Sequence, residues 1–249
     1  MKISIIIPAH NEEKRIRKTI ETYHEFFSTI NLNYQLNTEL IVVLNGCTDN
    51  TLEVVQECAY TRPNIIIIDI IEAGKGLAVK TGFADALTRD NDLIGFVDAD
   101  MATSPRYFYD LITHIHSHDG VIASRYMPGA YISPHRPFVK KWGRKLVYNS
   151  LVRHLFKLNF YDYQCGAKLF KRTTIEKVTP YLTAAQWAFD VELLYLCSLL
   201  GFAIHEMPTT WFDQAGSKLK IMSSGSRMLT SLFDMKKRHK VLEKMLTSK

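Results

Sequence analysis

The chain has 249 residues, is 47% hydrophobic and carries a net charge of +6, enough for one large α/β domain or two small ones with a full apolar core. Its longest apolar run, Ile65 to Ile71, is broken by Asp69, and its opening Met1-Lys2-Ile3-Ser4 lacks a signal-peptide cleavage pattern, which argues against a membrane span and a secretory leader. The four cysteines (Cys47, Cys58, Cys165, Cys197) form no CxxC pair, which disfavours a disulfide or zinc framework and points to reduced thiols in a cytoplasmic protein.

The first half alternates strand and helix. Lys2–Ile7 is a β-branched apolar run ended by Pro8, and Glu12–Ser28 follows with Ile16, Ile20, Tyr23 and Phe27 at helical spacing. Glu39–Leu44 predicts a second buried strand and Asp49–Cys58 a helix. Ile65–Ile70 predicts a third strand, Gly76–Leu87 a helix and Leu93–Val97 a fourth strand. Ser104 reads as an N-cap with Pro105 at the first helical position, and Gly120–Ala123 as a fifth strand. Continuous apolar strands separated by helices predict an α/β fold: a mostly parallel, Rossmann-like sheet with helices on both faces. Ligands of such sheets bind at the carboxyl ends of strands.

The second half is different. Arg125 to Arg172 holds eleven Lys/Arg against one acid, and Gly216 to Lys249 holds nine against two. A basic excess so placed suggests an anionic partner. Helices are expected at Trp142–Phe156, at the apolar stretch Ala188–Leu200, and at Ser226–Leu246, which is amphipathic and basic. No repeat or low-complexity linker divides the chain, so a single domain, 1–249, is expected.

Four strand ends carry polar signatures: Pro8-Ala9-His10-Asn11-Glu12, Asn45-Gly46-Cys47-Thr48-Asp49, Glu72-Ala73-Gly74-Lys75-Gly76 and Asp98-Ala99-Asp100. Each alone is a common turn or cap; four on one sheet edge suggest a ligand site. Two carboxylates would repel a nucleoside diphosphate unless a divalent cation sits between them. Hard oxygen ligands suit Mg²⁺ or Mn²⁺, which would stabilise a leaving diphosphate. Gly74-Lys75-Gly76 offers close backbone approach and a positive charge at a helix start. It is not a Walker motif, and Val79 stands where a dinucleotide fingerprint needs a small residue.

In this order the motifs resemble the inverting family 2 glycosyltransferases of GT-A fold. Ser124-Arg125, Asp162 through Phe170, Trp187 through Leu194 and Gly216-Ser217-Lys218 are similar to the dolichyl-phosphate β-glucosyltransferase branch and other polyprenyl-phosphate glycosyltransferases. The resemblance implies a nucleotide-sugar-binding half (1–124), an acceptor half (125–225) and a basic amphipathic C-terminal helix (226–249). It implies a nucleotide-sugar site built from Pro8, Ala9, Asn11, Glu12, Asn45, Gly46, Lys75, Gly76, Asp98 and Ala99, with Asp98 and Asp100 on the metal. The chain departs from the family at Leu44-Asn45-Gly46-Cys47, where members often have Asp-Asp-Gly-Ser.

The implied donor is a nucleotide-sugar such as UDP-glucose, and the implied acceptor a polyprenyl or dolichyl phosphate. Such an acceptor is already an anionic nucleophile, so the protein must hold two anions together. Arg125, Arg136, Arg144 and Lys168 are the expected acceptor-phosphate ligands. Asp162, Gln164 and Arg125 are expected at the reacting centre, with Asp190 the base if the acceptor is a hydroxyl. The C-terminal helix is a candidate for peripheral contact with anionic lipid on a cytoplasmic membrane face.

Three alternatives remain open on the residues alone: another donor such as GDP-mannose or a soluble hydroxyl acceptor, a nucleotidyltransferase, and a basic nucleic-acid or lipid-binding module. A nucleotidyltransferase needs a Gly-rich loop after the first strand, where this chain has Pro8-Ala9-His10-Asn11. Nucleic acid is not expected, because no RRM, KH or zinc-finger pattern is present.

Overall fold

A computed structural model describes residues 1–134, 142–186, 188–213 and 221–247. The side chains of 32–34, 142–147, 221–229 and 246–247 are outside that description. Arg136, the side chain of Arg144, Trp187 and Gly216-Ser217-Lys218 therefore lie outside the described residues.

The first half follows the expected alternation: β1 (Lys2–Ala9), α1 (Ile16–Tyr34), β2 (Asn37–Asn45), α2 (Thr51–Ala59), β3 (Ile65–Ile70), α3 (Lys75–Ala86), β4 (Leu93–Val97), α4 (Pro105–Thr113) and β5 (Gly120–Ser124). The stripe Ile16, Ile20, Tyr23 and Phe27 is buried, as the helical spacing requires. Ser104 has the extended backbone of a cap and precedes Pro105, but its side chain makes no capping bond.

The second half adds β6 (Tyr131–Ser133), α5 (Trp142–Phe156), β7 (Ala167–Lys171), α6 (Arg172–Val178), a 3₁₀ turn at Thr179–Tyr181, α7 (Phe189–Leu199), β8 (Ile204–Pro208), β9 (Thr210–Phe212) and α8 (Ile221–Thr247). Four of these strands were not expected. β7 carries Lys168 near its start and reads as no buried strand; β6, β8 and β9 are short and interrupted by polar or proline residues.

One seven-stranded sheet runs in the order β3-β2-β1-β4-β7-β5-β8, and β6 pairs with β9 in a separate ribbon. β1 pairs parallel with β2 and β4, β2 with β3, and β5 with β8. β7 runs antiparallel between β4 and β5. The two faces hold separate cores. Ile6, Ile41, Val43, Ile94 and Phe96 pack toward α3 and α7, while Ile5, Ile7, Val42, Leu44 and Val97 pack toward α1, α2 and α4. Alternate residues of one strand thus serve opposite faces, which is why the strands read as unbroken apolar runs. α7 is buried without interruption from Phe189 to Cys197, so Asp190 and Glu192 in its first turn are interior carboxylates.

The pairing directions place the carboxyl ends of β1, β2, β3, β4, β5 and β8, with the amino end of β7, on one edge. Every strand-end motif expected from the sequence opens onto that edge.

Candidate active site

On the β1–β3 side, polar side chains are spent on the backbone. Asn45 is buried; its amide donates to the Ala9 carbonyl at 2.8 Å and its oxygen accepts from the Gly74 N–H at 2.9 Å. One side chain therefore ties together three loops, after β1, β2 and β3. Gly46 continues with φ +57°, and a Cβ there would press on Ala73 at 2.9 Å, so glycine is required. Asn11, at φ 54°, accepts the Thr48 N–H at 2.7 Å. Glu12 holds Arg15 through two bonds of 2.7 Å, and its N–H donates to Thr51. Pro8 and Ala9 are buried at the end of β1.

The turn after β4 is fixed from below. Thr19 donates to the Ala99 carbonyl at 2.7 Å and Tyr23 to the Thr103 carbonyl at 2.9 Å. Asp100 accepts the Ala102 N–H at 3.0 Å. Burial and the neighbouring Asp98 push the Asp100 carboxyl up to about 6. Gly166, just before β7, faces Asp98 so closely that a Cβ would overlap its carboxylate. Thr19 lies on the buried stripe of α1 one turn before Tyr23, which is the signal that would have revealed it.

Lys75 joins the turn to the interior. Its ammonium lies 2.7 Å from Asp98 and 3.7 Å from Asp190. Burial alone would lower its pKa, but Asp190 and Asp98 outweigh burial and hold it above the ordinary lysine value. Lys168 is wholly buried and bonds Asp190 at 2.7 Å and the Cys165 carbonyl at 2.6 Å. Phe96 lies beneath both ammonium groups, 5.6 Å from Lys75 and 5.4 Å from Lys168.

These placements correct two expectations. Lys168 cannot meet an acceptor phosphate from inside the sheet without giving up Asp190, so it serves that carboxylate instead. Burial pushes the Asp190 carboxyl up, but Lys168 and Lys75 more than offset that and leave it below its usual value. A carboxylate so stabilised in its charged form is a weak general base.

A third group stands at the end of β5. Arg125 meets Asp162 in a two-pronged pair, Nε to Oδ2 at 2.6 Å and Nη2 to Oδ1 at 2.9 Å. Its guanidinium lies 4.7 Å from the Trp211 ring and 5.4 Å from Tyr126. Asp162 is fully buried and also accepts the Gln164 N–H at 3.1 Å. Glu206 accepts the backbone N–H groups of Tyr161 and Asp162 at 2.8 and 2.7 Å, which fixes the loop that carries Asp162. Asp162, expected at the reacting centre, is thus engaged by Arg125 beside the loop that carries Gln164. Trp211 and Glu206 had no sequence signal beyond an aromatic and an acid in short strands.

Residues 4–179 match the family model described as Glycosyl transferase family 2. The chain belongs to glycosyl transferase family 2. The family 2 chain is 32% identical over 248 residues to a dolichyl-phosphate beta-glucosyltransferase of Trichomonas vaginalis, covering 96% of itself and 74% of that protein. It is 27% identical over 256 residues to glycosyltransferase AglD of Haloferax volcanii, covering 98% of itself and only 39% of AglD. A glucosyl-3-phosphoglycerate synthase from Mycobacterium tuberculosis, solved with Mn²⁺, UDP and phosphoglyceric acid, superposes with a TM-score of 0.70 at 18% identity, covering 94% of this chain and 78% of that one. The fold is GT-A.

The family's implied cation fits the residues present. Asp98 and Asp100 supply hard carboxylate oxygens, and burial together with Asp98 disfavours charge on Asp100, a cost that a cation would relieve. Among the described residues no third His, Cys, Asp or Glu completes a metal cluster. That donor set suits Mg²⁺ or Mn²⁺ with substrate oxygens and water in the remaining positions.

Proposed function

We propose that this chain transfers a hexose, glucose from UDP-glucose, onto a polyprenyl or dolichyl phosphate with inversion at the anomeric carbon. The observation that carries the reading is one sheet edge bearing Asp98 and Asp100 at the end of β4 and a preset Arg125 at the end of β5. The names of the relatives support the acceptor, and the name and contents of the mycobacterial structure support a uridine nucleotide.

In this reading the β1–β3 loops receive the nucleotide. Asn45 acts by holding those loops together, because both ends of its amide already have partners. Asp98 and Asp100 would hold Mg²⁺ or Mn²⁺, which supplies Lewis-acid stabilisation of the departing diphosphate. Lys75 adds a cation at the α3 start. Arg125 is the described residue best placed to receive the acceptor phosphate: Asp162 fixes its plane and Trp211 backs it, so little freedom is lost on binding. Arg136 and Arg144 remain proposed partners in that role. Gln164 is proposed to line the same site; its backbone N–H is held by Asp162.

No helix among the described residues is long and apolar enough to cross a membrane. α8 nonetheless exposes Phe233, Val241 and Met245 beside exposed Lys237, Arg238, Lys240 and Lys244. That mixture suits an anionic lipid surface, and we place the reaction at the cytoplasmic face of a membrane.

The test is nucleotide release in the presence of Mn²⁺ or Mg²⁺, a panel of nucleotide-sugars and a short polyprenyl phosphate. Turnover of UDP-glucose that Asp100→Ala lowers about 10²- to 10³-fold is the expected result. Equal and negligible release by both proteins with every donor would remove the reading. Preference for a water-soluble acceptor would remove the lipid acceptor alone.

A further inference from the structure

The chain between the 3₁₀ turn and α7 crosses directly over the loop that carries Lys75. A Cβ on Gly74 would collide with the Ala185 carbonyl and a Cβ on Gly76 with the Ala184 carbonyl. The Leu77 N–H donates to the Ala185 carbonyl at 3.1 Å, the Gln186 amide donates to the Ala73 carbonyl at 2.9 Å, and Lys80 donates to the Leu182 carbonyl at 2.6 Å. Residues 182–186 form a strap over the start of α3, and the two glycines exist to let it lie flat.

The strap is anchored from the other side by one carboxylate. Glu192 is fully buried and accepts the Thr183 N–H at 2.8 Å, the Thr183 hydroxyl at 2.6 Å and the Ala184 N–H at 2.7 Å. Its fourth partner is His239 of α8, whose Nε2 lies 2.7 Å from Oε1. A carboxylate only accepts, so Nε2–H is the donor. His239 is itself 5% exposed. A run of bonds therefore leads from α8 through Glu192 and the strap to Ala73 and Leu77, on either side of Gly74-Lys75-Gly76.

We propose that Glu192, clamped by His239, is a positioning residue: through the 182–186 strap it sets the conformation of the Lys75 loop, so that α8 governs how well the donor is held. Buried carboxylates in the first turn of one helix divide the work. Asp190 faces the Lys75 ammonium at 3.7 Å as a buried counter-charge, and Glu192 fixes the backbone of the strap that crosses its loop. The consequence for donor binding rests on the proposed function; the coupling itself does not.

The experiment uses the full chain with His239→Ala, His239→Gln, Thr183→Val, Gln186→Ala and Glu192→Gln. Hydrogen exchange is followed at the Leu77 amide and in the Gly120–Ser124 strand, and donor kinetics are measured alongside. His239→Ala and Thr183→Val are expected to speed exchange at Leu77 about tenfold while leaving Gly120–Ser124 unchanged, as loss of one buried bond implies. Donor KM should rise roughly 3- to 10-fold with kcat nearly constant, and His239→Gln, which keeps a donor, should restore both. If Glu192→Gln fails to fold, the His239 and Gln186 variants still decide. Wild-type exchange at Leu77 in His239→Ala and Thr183→Val, equal loosening of Gly120–Ser124, or faster exchange with unchanged donor KM would each overturn the proposal. A wild-type protein inactive with every donor removes only the functional reading, since the exchange comparison stands without it.

Discussion

The two sides of the sheet edge manage polarity in opposite ways. After β1, β2 and β3, neutral side chains bond to main chain: Asn45 to Ala9 and Gly74, and Asn11 to Thr48. After β5 and in β7, cations are matched to buried carboxylates: Arg125 to Asp162 and Lys168 to Asp190. The first arrangement shapes a cradle from backbone and leaves its charges at the rim. The second fixes a cation's direction by neutralising it within the fold. The basic excess of the second half therefore overstates what a ligand meets, because Lys168 is consumed and Arg125 arrives already paired. Buried pairs of this kind contribute geometry more dependably than stability.

The largest expected effect breaks the rim. Asp100→Ala removes one of the two carboxylates proposed to hold the cation, and turnover should fall about 10²- to 10³-fold, comparable to losing one preorganised electrostatic group. Its unfolding midpoint should change little, since relief of the buried charge offsets loss of the bond to the Ala102 N–H. Full activity in Asp100→Ala would show that the β4 turn is not the reacting edge.

The next effect breaks the interior. Lys168→Met leaves Asp190 buried with Lys75, at 3.7 Å, as its remaining ion-pair partner among the described residues, and should cost about 3 kcal/mol in urea denaturation, the lower bound for an orphaned buried charge. The double change Lys168→Met with Asp190→Leu should recover most of that loss. Failure to recover would mean that the pair itself, and not the orphaned charge, sets the energy.

The β1–β3 side is legible in the sequence because its strands are buried on both faces and its loops are built from turn residues. Runs such as Lys2–Ala9 announce themselves, and the loop after each strand is short enough to read. The β5 and β7 side was hidden for a physical reason. Lys168 in β7 breaks the apolar pattern that marks a central strand, and only its distant partner on α7 makes that burial tolerable. The family resemblance also singled out Asp162 and Arg125 without showing that they neutralise each other across 37 positions. Glu206 and Trp211 were invisible in their roles, since a single acid or aromatic in a short strand has no periodic signature. Gly166 was legible only as part of a family string; the reason for it is the Asp98 carboxylate opposite.

A smaller change tests the backbone cradle directly. Asn45→Ala leaves the Ala9 carbonyl and the Gly74 N–H without their partner, at about 1–3 kcal/mol. Because three loops share that side chain, donor KM should rise along with the loss in stability. Arg125-dependent acceptor KM should stay near wild type if the two sides are as independent as their bonding suggests. A parallel rise in both constants would count against that independence.

The smallest effect concerns the carboxylate that links the sides. Burial pushes Glu192 up, but the bonds from His239, Thr183 and Ala184 outweigh it and leave its pKa below the usual glutamate value. A depressed folded-state pKa means that the contribution to stability is complete above the unfolded value, about 4.3, and is lost as pH falls through the lower folded one. Wild type should therefore be more stable than Glu192→Gln in denaturant titrations at pH 7. The gap should hold at pH 5 and narrow only below about pH 4, where the carboxylate takes up its proton in the folded chain. A gap that closed between pH 7 and 5, where the carboxylate should stay charged, would show that Glu192 ionisation does not carry the stability difference.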